Sequence, residues 1–349
     1  MTSILNKTDW AERAKPILPF RRQPSYRLTL GGVDLAPKMN GRLVNLGLSR
    51  KRGGEVDTLE LTLSDHDGKL ALPPRGVLLT LALGWEAQGL INRGHFVVDE
   101  VEFSGAPDQV TIRARSADMR KSMPSWNSAS WHHTTLGTIV ETIAQRYGLT
   151  PRVEDSLAPI LINHIDQNEE SDLNFLNRLG QLYGGVPMVS AGVLMMIKPG
   201  ESKSASGREL PVIEIRRRDG DQYRYSAVDR ERYTGIKASW HNTAKGRQES
   251  VSVGDPTREL TLKTLYASEE EARHTAQARL DKIRQHAAEF EMTLAQARPE
   301  LLIESPIALS GFKQEINGMG WVATEISESL SDQGYTMNIK CVTDGMVDA

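Results

Sequence analysis

Hydrophobic and polar positions alternate along most of this chain, and the alternation recurs. Leu59-Glu60-Leu61-Thr62-Leu63 places apolar residues on one side and polar residues on the other, the period-2 signature of a half-buried strand. It returns as Phe290-Glu291-Met292-Thr293-Leu294, 231 positions later (291 − 60). Gly76-Val77-Leu78-Leu79 is answered by Pro306-Ile307-Ala308-Leu309 at an offset of 230 (306 − 76). Phe96-Val97 and Glu100-Val101 are answered by Trp321-Val322 and Glu325-Ile326 at an offset of 225 (325 − 100), and Thr111-Ile112 meets Thr336-Met337 at the same offset. One match carries little weight, because unrelated half-buried strands look alike. Several in order predict a duplicated β module.

Residues 1–24 read as an extended arm broken by Pro16, Pro19 and Pro24. A first β domain, 25–118, opens with Tyr26, Leu28 and Leu30 and a turn at Gly31-Gly32. Strands follow near 42–48, 58–64, 77–83, 95–103 and 110–116, a spacing that predicts an antiparallel barrel or sandwich. The period then changes. Leu136, Ile139, Val140, Ile143, Ala144 and Tyr147 share a helical face, capped by Thr134 or Thr135 and stopped by Gly148. A second helix starts near Ser171, aligns Phe175, Leu176, Leu179, Leu182 and Tyr183, and ends at Gly184-Gly185. With strands at 186–189 and 193–197 these predict a small α/β middle domain over 119–209. A second β domain over 210–349 contains one long helix, 268–288, with Ser268 and Glu271 as its capping box. Its Ala272, Ala276, Leu280, Ile283 and Ala287 face is narrow, suited to lying on a sheet or another subunit.

Composition excludes more than it selects. With 349 residues, 39% hydrophobic and 25% charged, the chain is globular, not disordered. Its net charge of −3 gives no overall case for gripping a polyanion. The single Cys341 excludes an internal disulfide and thiolate-rich zinc sites. Neither a signal-peptide core nor a spanning apolar run is present, so synthesis in the cytoplasm without a membrane anchor is expected.

Candidate chemistry is sparse. Asp65-His66-Asp67-Gly68 lacks the rest of a calcium loop and reads as a polar turn. Neither His132-His133 nor the pair His274 and His286, twelve apart on the long helix, has the spacing of a chelate. Arg216-Arg217-Arg218 and Arg50-Lys51-Arg52 carry no interleaved aromatic platform for nucleic acid and read as solvated hairpin tips or protein contacts. Glu169, Glu170 and Asp172 form a dense carboxylate group at a helix start. Such acids complement the helix dipole, but paired carboxylates also serve glycoside hydrolysis, so a cell-wall hydrolase using them is the alternative reading. A carbohydrate-binding surface would need clustered aromatics, and only 6% of residues are aromatic. Catalytic, cofactor and metal residues are therefore expected to be none.

The run Gln167-Asn168-Glu169-Glu170-Ser171-Asp172-Leu173-Asn174-Phe175-Leu176-Asn177-Arg178-Leu179, then Tyr183-Gly184-Gly185, resembles the signature of the phage late control D family. Asp229-Arg230 through Tyr233-Thr234-Gly235-Ile236-Lys237-Ala238 is similar to that family's arginine-rich strand, and the helix from Ser268 into Phe290–Leu294 also matches. The resemblance runs from about Tyr26 to the C-terminus. It implies a baseplate hub of a contractile tail, related to hubs of R-type bacteriocins and of type VI secretion spikes. The implied fold is mainly β: two similar antiparallel β-barrels in one chain, a small α/β middle domain and one long helix. The implied assembly is a homotrimer whose six barrels match a hexameric tail-tube protein or tube initiator on one face and a trimeric spike on the other. Other baseplate proteins would surround it, and DNA or a tape-measure segment would pass through the bore. With no fused needle repeats after Ala349 and no obvious lysozyme insert, the spike and any wall-cutting activity are expected on separate proteins. The exposed halves of the strands at 42–49 and 110–116 are the expected contact surfaces.

Overall fold

The computed structural model describes residues 22–53, 56–117, 126–190, 192–200, 202, 209–227 and 233–345. Nearly all of the expected N-terminal arm, and Asp229-Arg230, lie outside these.

The first β region contributes β1 (Pro24–Leu30), β2 (Val33–Asp34), β3 (Leu43–Lys51), β4 (Thr58–Ser64), β5 (Leu78–Trp85), β6 (Gly89–Ser104) and β7 (Gln109–Ser116). These pair antiparallel in the order β3-β4-β7-β6-β5-β1, with β2 outside β1. Alternation is what folds them: Leu59, Leu61 and Leu63 are buried on one side of β4 while Glu60 and Thr62 lean out.

The middle unit follows as β8 (Trp126–Thr135), the helix Leu136–Arg146, β9 (Thr150–Val153), β10 (Leu161–Ser171), the helix Asp172–Tyr183, β11 (Val186–Ser190) and β12 (Val193–Ile197). Thr135 and Ser171 cap the two helices through their hydroxyls. Gly184 ends the second in the left-handed conformation. Phe175, Leu176 and Leu179 pack with Leu136, Ile139 and Val140 in a separate core.

The rest of the chain supplies β13 (Ile213–Arg216), β14 (Gly220–Ala227), β15 (Gly235–Asn242), β16 (Arg247–Gly254), β17 (Glu259–Tyr266), the long helix Glu269–Gln285, β18 (Ala288–Leu294), β19 (Pro306–Ser310), β20 (Trp321–Ser331) and β21 (Gly334–Thr343). β15, β16 and β17 form a sheet of their own. Ala272, Ala276 and Leu280 of the long helix pack on it in a third core. The other strands pair as β14-β18-β21-β20-β19-β13.

That order repeats β3-β4-β7-β6-β5-β1. Irregularities repeat as well. A bulge in β6 between Val98 and Glu100 is matched by one in β20 between Ala323 and Glu325, at an offset of 225 (323 − 98). A bulge in β3 between Leu43 and Asn45 is matched in β14 between Gly220 and Gln222, at 177 (222 − 45). Bulges are features that a fold retains, so their coincidence identifies equivalent strands independently of side-chain pattern.

The pairings also correct two offsets. Leu79 opposes Phe96 as Ile307 opposes Trp321, giving 228 (307 − 79), not 230. Ile112 opposes Val101 as Ile339 opposes Ile326, giving 227 (339 − 112), not 225. Both slips equal two residues, which leaves every side chain on its face.

Pairing of β20 with β3 joins the two modules into one 13-stranded sheet. Among the described residues no ladder closes either module into a ring, and one hydrophobic core runs through both. The architecture is thus mainly β, made of large antiparallel sheets with an α+β insert.

Candidate assembly interface

The seam between modules shows how this fold joins one unit to the next. Glu325–Ser331 of β20 runs antiparallel to Asn45–Lys51 of β3. At its centre the buried Glu328 accepts hydrogen bonds from Arg50 Nη2 at 2.9 Å, Arg93 Nη2 at 2.8 Å and the Tyr335 hydroxyl. One carboxylate therefore ties β3 and β6 of the first module to β20 and β21 of the second. Burial pulls the Arg50 guanidinium below its ordinary pKa, with the Glu328 charge opposing. Burial, then the Glu328 charge, pushes the Tyr335 hydroxyl up. Beside them the Trp85 indole donates to Ala297 O at 3.1 Å and packs on the Tyr335 ring. Arg52 pairs with buried Glu304, whose other oxygen accepts from the Gly200 backbone N–H at 3.0 Å.

Arg50 and Arg52 are therefore not a solvated hairpin tip. Sequence reading missed them because their partners lie more than 250 residues away. The other cluster stays at the surface in part: Arg216 pairs with Glu214, and Arg217 lies over the Tyr223 ring at 4.3 Å. The strands expected to make contacts, β3 and β7, have both edges paired inside this chain. Only their faces are open to another molecule.

Two of the three carboxylates of the hydrolase reading are tied down. Asp172 is fully buried and accepts from Arg146 Nη1 at 2.6 Å, the Tyr147 hydroxyl at 2.6 Å and Gln167 Nε2 at 2.7 Å. Burial alone would raise its pKa; these hydrogen bonds outweigh burial and hold it below the ordinary carboxylate value. Glu170 pairs with Arg178, and Glu169 takes a left-handed backbone at φ 46°. Asp172 and Glu170 thus brace the start of the helix Asp172–Tyr183 through their arginine partners.

Asp67 caps its turn and pairs with Arg42. His132 stacks on His164 across β8 and β10, with Nδ1 atoms 3.0 Å apart. Among the described residues no group of three or more His, Cys, Asp or Glu is arranged to hold a metal. No helix among them is long and apolar enough to cross a membrane. A cavity of about 740 Å³ lies between the middle unit, the long helix and the second module. Its mixed lining of Arg224, Lys282, Lys340, Glu289 and Glu291 favours no single class of charged ligand.

Comparison with known proteins identifies the family. The family described as phage tail baseplate hub (GPD) matches residues 56–334. The "Probable baseplate hub protein" of Escherichia phage 186 is 38% identical, covering 91% of this chain and 92% of that one. Two solved structures share the fold at 15% identity. One is the 43 kDa tail protein of prophage MuSo2 from Shewanella oneidensis, with TM-score 0.69, covering 93% of this chain and 100% of that one. The other is a type VI secretion component of E. coli, with TM-score 0.56, covering 91% and 76%. With a duplicated sheet, a buried seam and a family match over most of its length, the chain belongs to the baseplate hub proteins of phage tails.

Proposed function

We propose that this protein is a structural adaptor: a homotrimer that joins the hexameric tube of a contractile tail to a trimeric central spike. The observation that carries this reading is the paired modules with equivalent strand order and matching bulges. Two equivalent units per chain let three chains offer six similar surfaces on one side and remain threefold on the other. Affinity comes from sheet faces and edges over a large obligate interface, with no bond-making step. The neighbouring proteins are the tail-tube protein or its initiator, the spike and other baseplate components, and the bore passes DNA or a tape-measure segment. The site of action is the virion or tail-like particle, after synthesis in the host cytoplasm.

Light scattering on the purified protein, with and without its spike partner, tests the reading. Three chains per particle are expected in the complex, whereas a stable monomer at high concentration in both samples defeats it. No observation favours the hydrolase: two of its three carboxylates are held in ion pairs. A peptidoglycan turbidity assay is expected to show no clearing, and clearing abolished by Glu170→Gln would reinstate an enzyme.

A further inference from the structure

The seam inside the chain is a pattern for two edges that lie open outside it. Equivalences of 225 between β6 and β20, and of 177 between β3 and β14, follow from the matching bulges. Within the chain, Ile326 opposes Arg50, Ser327 opposes Ser49, Glu328 opposes Leu48 and Ser329 opposes Gly47. Subtracting 225 from the β20 members gives Val101, Glu102, Phe103 and Ser104. Adding 177 to the β3 members gives Ala227, Ser226, Tyr225 and Arg224. Among the described residues neither stretch has a strand on its outer side: the end of β6 pairs only with β7, and β14 pairs only with β18.

Side chains at these edges fit burial better than exposure. Phe103 is 55% exposed and Tyr223 is 45% exposed. Their counterparts at the seam, Glu328 and Leu46, are 2% and 0% exposed. Both aromatics therefore stand at core-facing positions that lack the neighbouring module. A long open edge with apolar side chains is a hazard that folds normally cover. Charge points the same way. On the opposite face Glu60, Glu100 and Glu102 all pair with the single Arg113, leaving an excess of negative charge beside the position that Arg224 would take.

We propose that the β6 edge of one copy pairs antiparallel with the β14 edge of a second copy, in the register Val101↔Ala227, Glu102↔Ser226, Phe103↔Tyr225 and Ser104↔Arg224. This rests on the ring reading above and specifies its contact. The two edges differ, so the contact is head-to-tail, and repetition closes a ring when the rotation permits. Every junction around that ring then repeats the β20–β3 seam, alternately within a chain and between chains. The internal seam is fixed by buried charge, whereas the outer one is fixed by aromatics.

Paired cysteines test the register. Directly opposed cross-strand residues have Cβ atoms about 4.5–5.5 Å apart, within reach of a disulfide after small adjustment. Full-length Phe103→Cys/Tyr225→Cys protein, oxidised and run on a non-reducing gel, is expected to give two- and three-chain bands. They should be at least tenfold stronger than from Phe103→Cys/Arg224→Cys, in which the second side chain points to the other face. Cys341 is buried and adds no background. Light scattering on the unmodified chain separates the two claims. A trimer with equal or absent cross-linking in both variants overturns the register but keeps the ring; a monomer both with and without the spike partner overturns both. Phe103→Asp provides an independent arm: the mass is expected to fall to one chain with an unchanged circular dichroism spectrum, and persistence of the trimer refutes the contact.

Discussion

The two modules share strand order and bulges but have diverged where each meets something else. In the first, a short connection leads from β3 to β4; in the second, the matching connection from β14 to β18 holds β15, β16, β17 and the long helix. The last strands of the shared order also differ, since β1 runs antiparallel to β5 whereas β13 runs parallel to β19. At the start of β5 sits Gly76 at φ 89°, and its counterpart before β19 is Glu304 at φ 71°. Matching backbone hydrogen bonds, Gly76 N–H to Val98 O and Glu304 N–H to Ala323 O, establish the equivalence. Backbone geometry has therefore been retained even where a non-glycine residue is strained by it. The strained position is the one whose carboxylate holds Arg52. The shared features lie in strand order and bulges, and the differences lie in connections and rims.

The largest effect expected from this contrast is at the seam. Glu328→Ala strands Arg50 and Arg93 without their carboxylate and is expected to cost about 3–5 kcal/mol in denaturant unfolding. The counterpart change Phe103→Ala is expected to alter the stability of the dissociated chain by less than about 0.5 kcal/mol. Equal effects would show that the two edges are not differentiated.

Next comes the middle unit. Asp172→Ala is expected to cost about 2–3 kcal/mol at neutral pH, as charged hydrogen bonds are lost. Because the folded state holds the Asp172 carboxyl below the ordinary 3.8, its contribution is complete above that value and disappears as pH falls through the folded one. Urea titrations between pH 7 and pH 2 should show a shallower acid loss in Asp172→Asn than in the unchanged protein.

A smaller effect probes the retained backbone. Gly76→Ala meets no atom within 4 Å but keeps a left-handed φ, so a loss of about 1–2 kcal/mol is expected from conformation alone. Ser268→Ala removes the hydroxyl that caps Glu271 N–H in the inserted helix and is expected to cost about 1 kcal/mol. Thermal unfolding of both variants places the two losses in order.

Much of this fold was legible in the sequence, and what escaped has definite causes. Leu59–Leu63 and Phe290–Leu294 announced the duplication because alternation survives divergence. The offsets for β5 and β7 slipped by two because a period-2 pattern cannot register a shift of two. Bulges at Asp99 and Thr324 leave no mark on hydrophobicity. The separate layer of β15, β16 and β17 stayed hidden because Ile236, Ala238 and Val251 read like any half-buried strand. At the seam, Arg50 and Glu328 are 278 positions apart, and nothing local to either signals the other. Asp172 was legible as an acid at the start of the second helix, but the ion pairs of Asp172 with Arg146 and of Glu170 with Arg178 needed the folded chain.

The continuity of the hydrophobic core through both modules has a consequence for inheritance. A gene duplication ordinarily yields beads that can be exchanged, lost or multiplied one at a time. Here Leu46 and Leu48 lie in the same ladder and the same core as Ile326 and Leu330 of the other half, so neither half is a free bead. A shared core predicts that the two halves unfold together, so exchange of one half alone is expected to cost the stability of both.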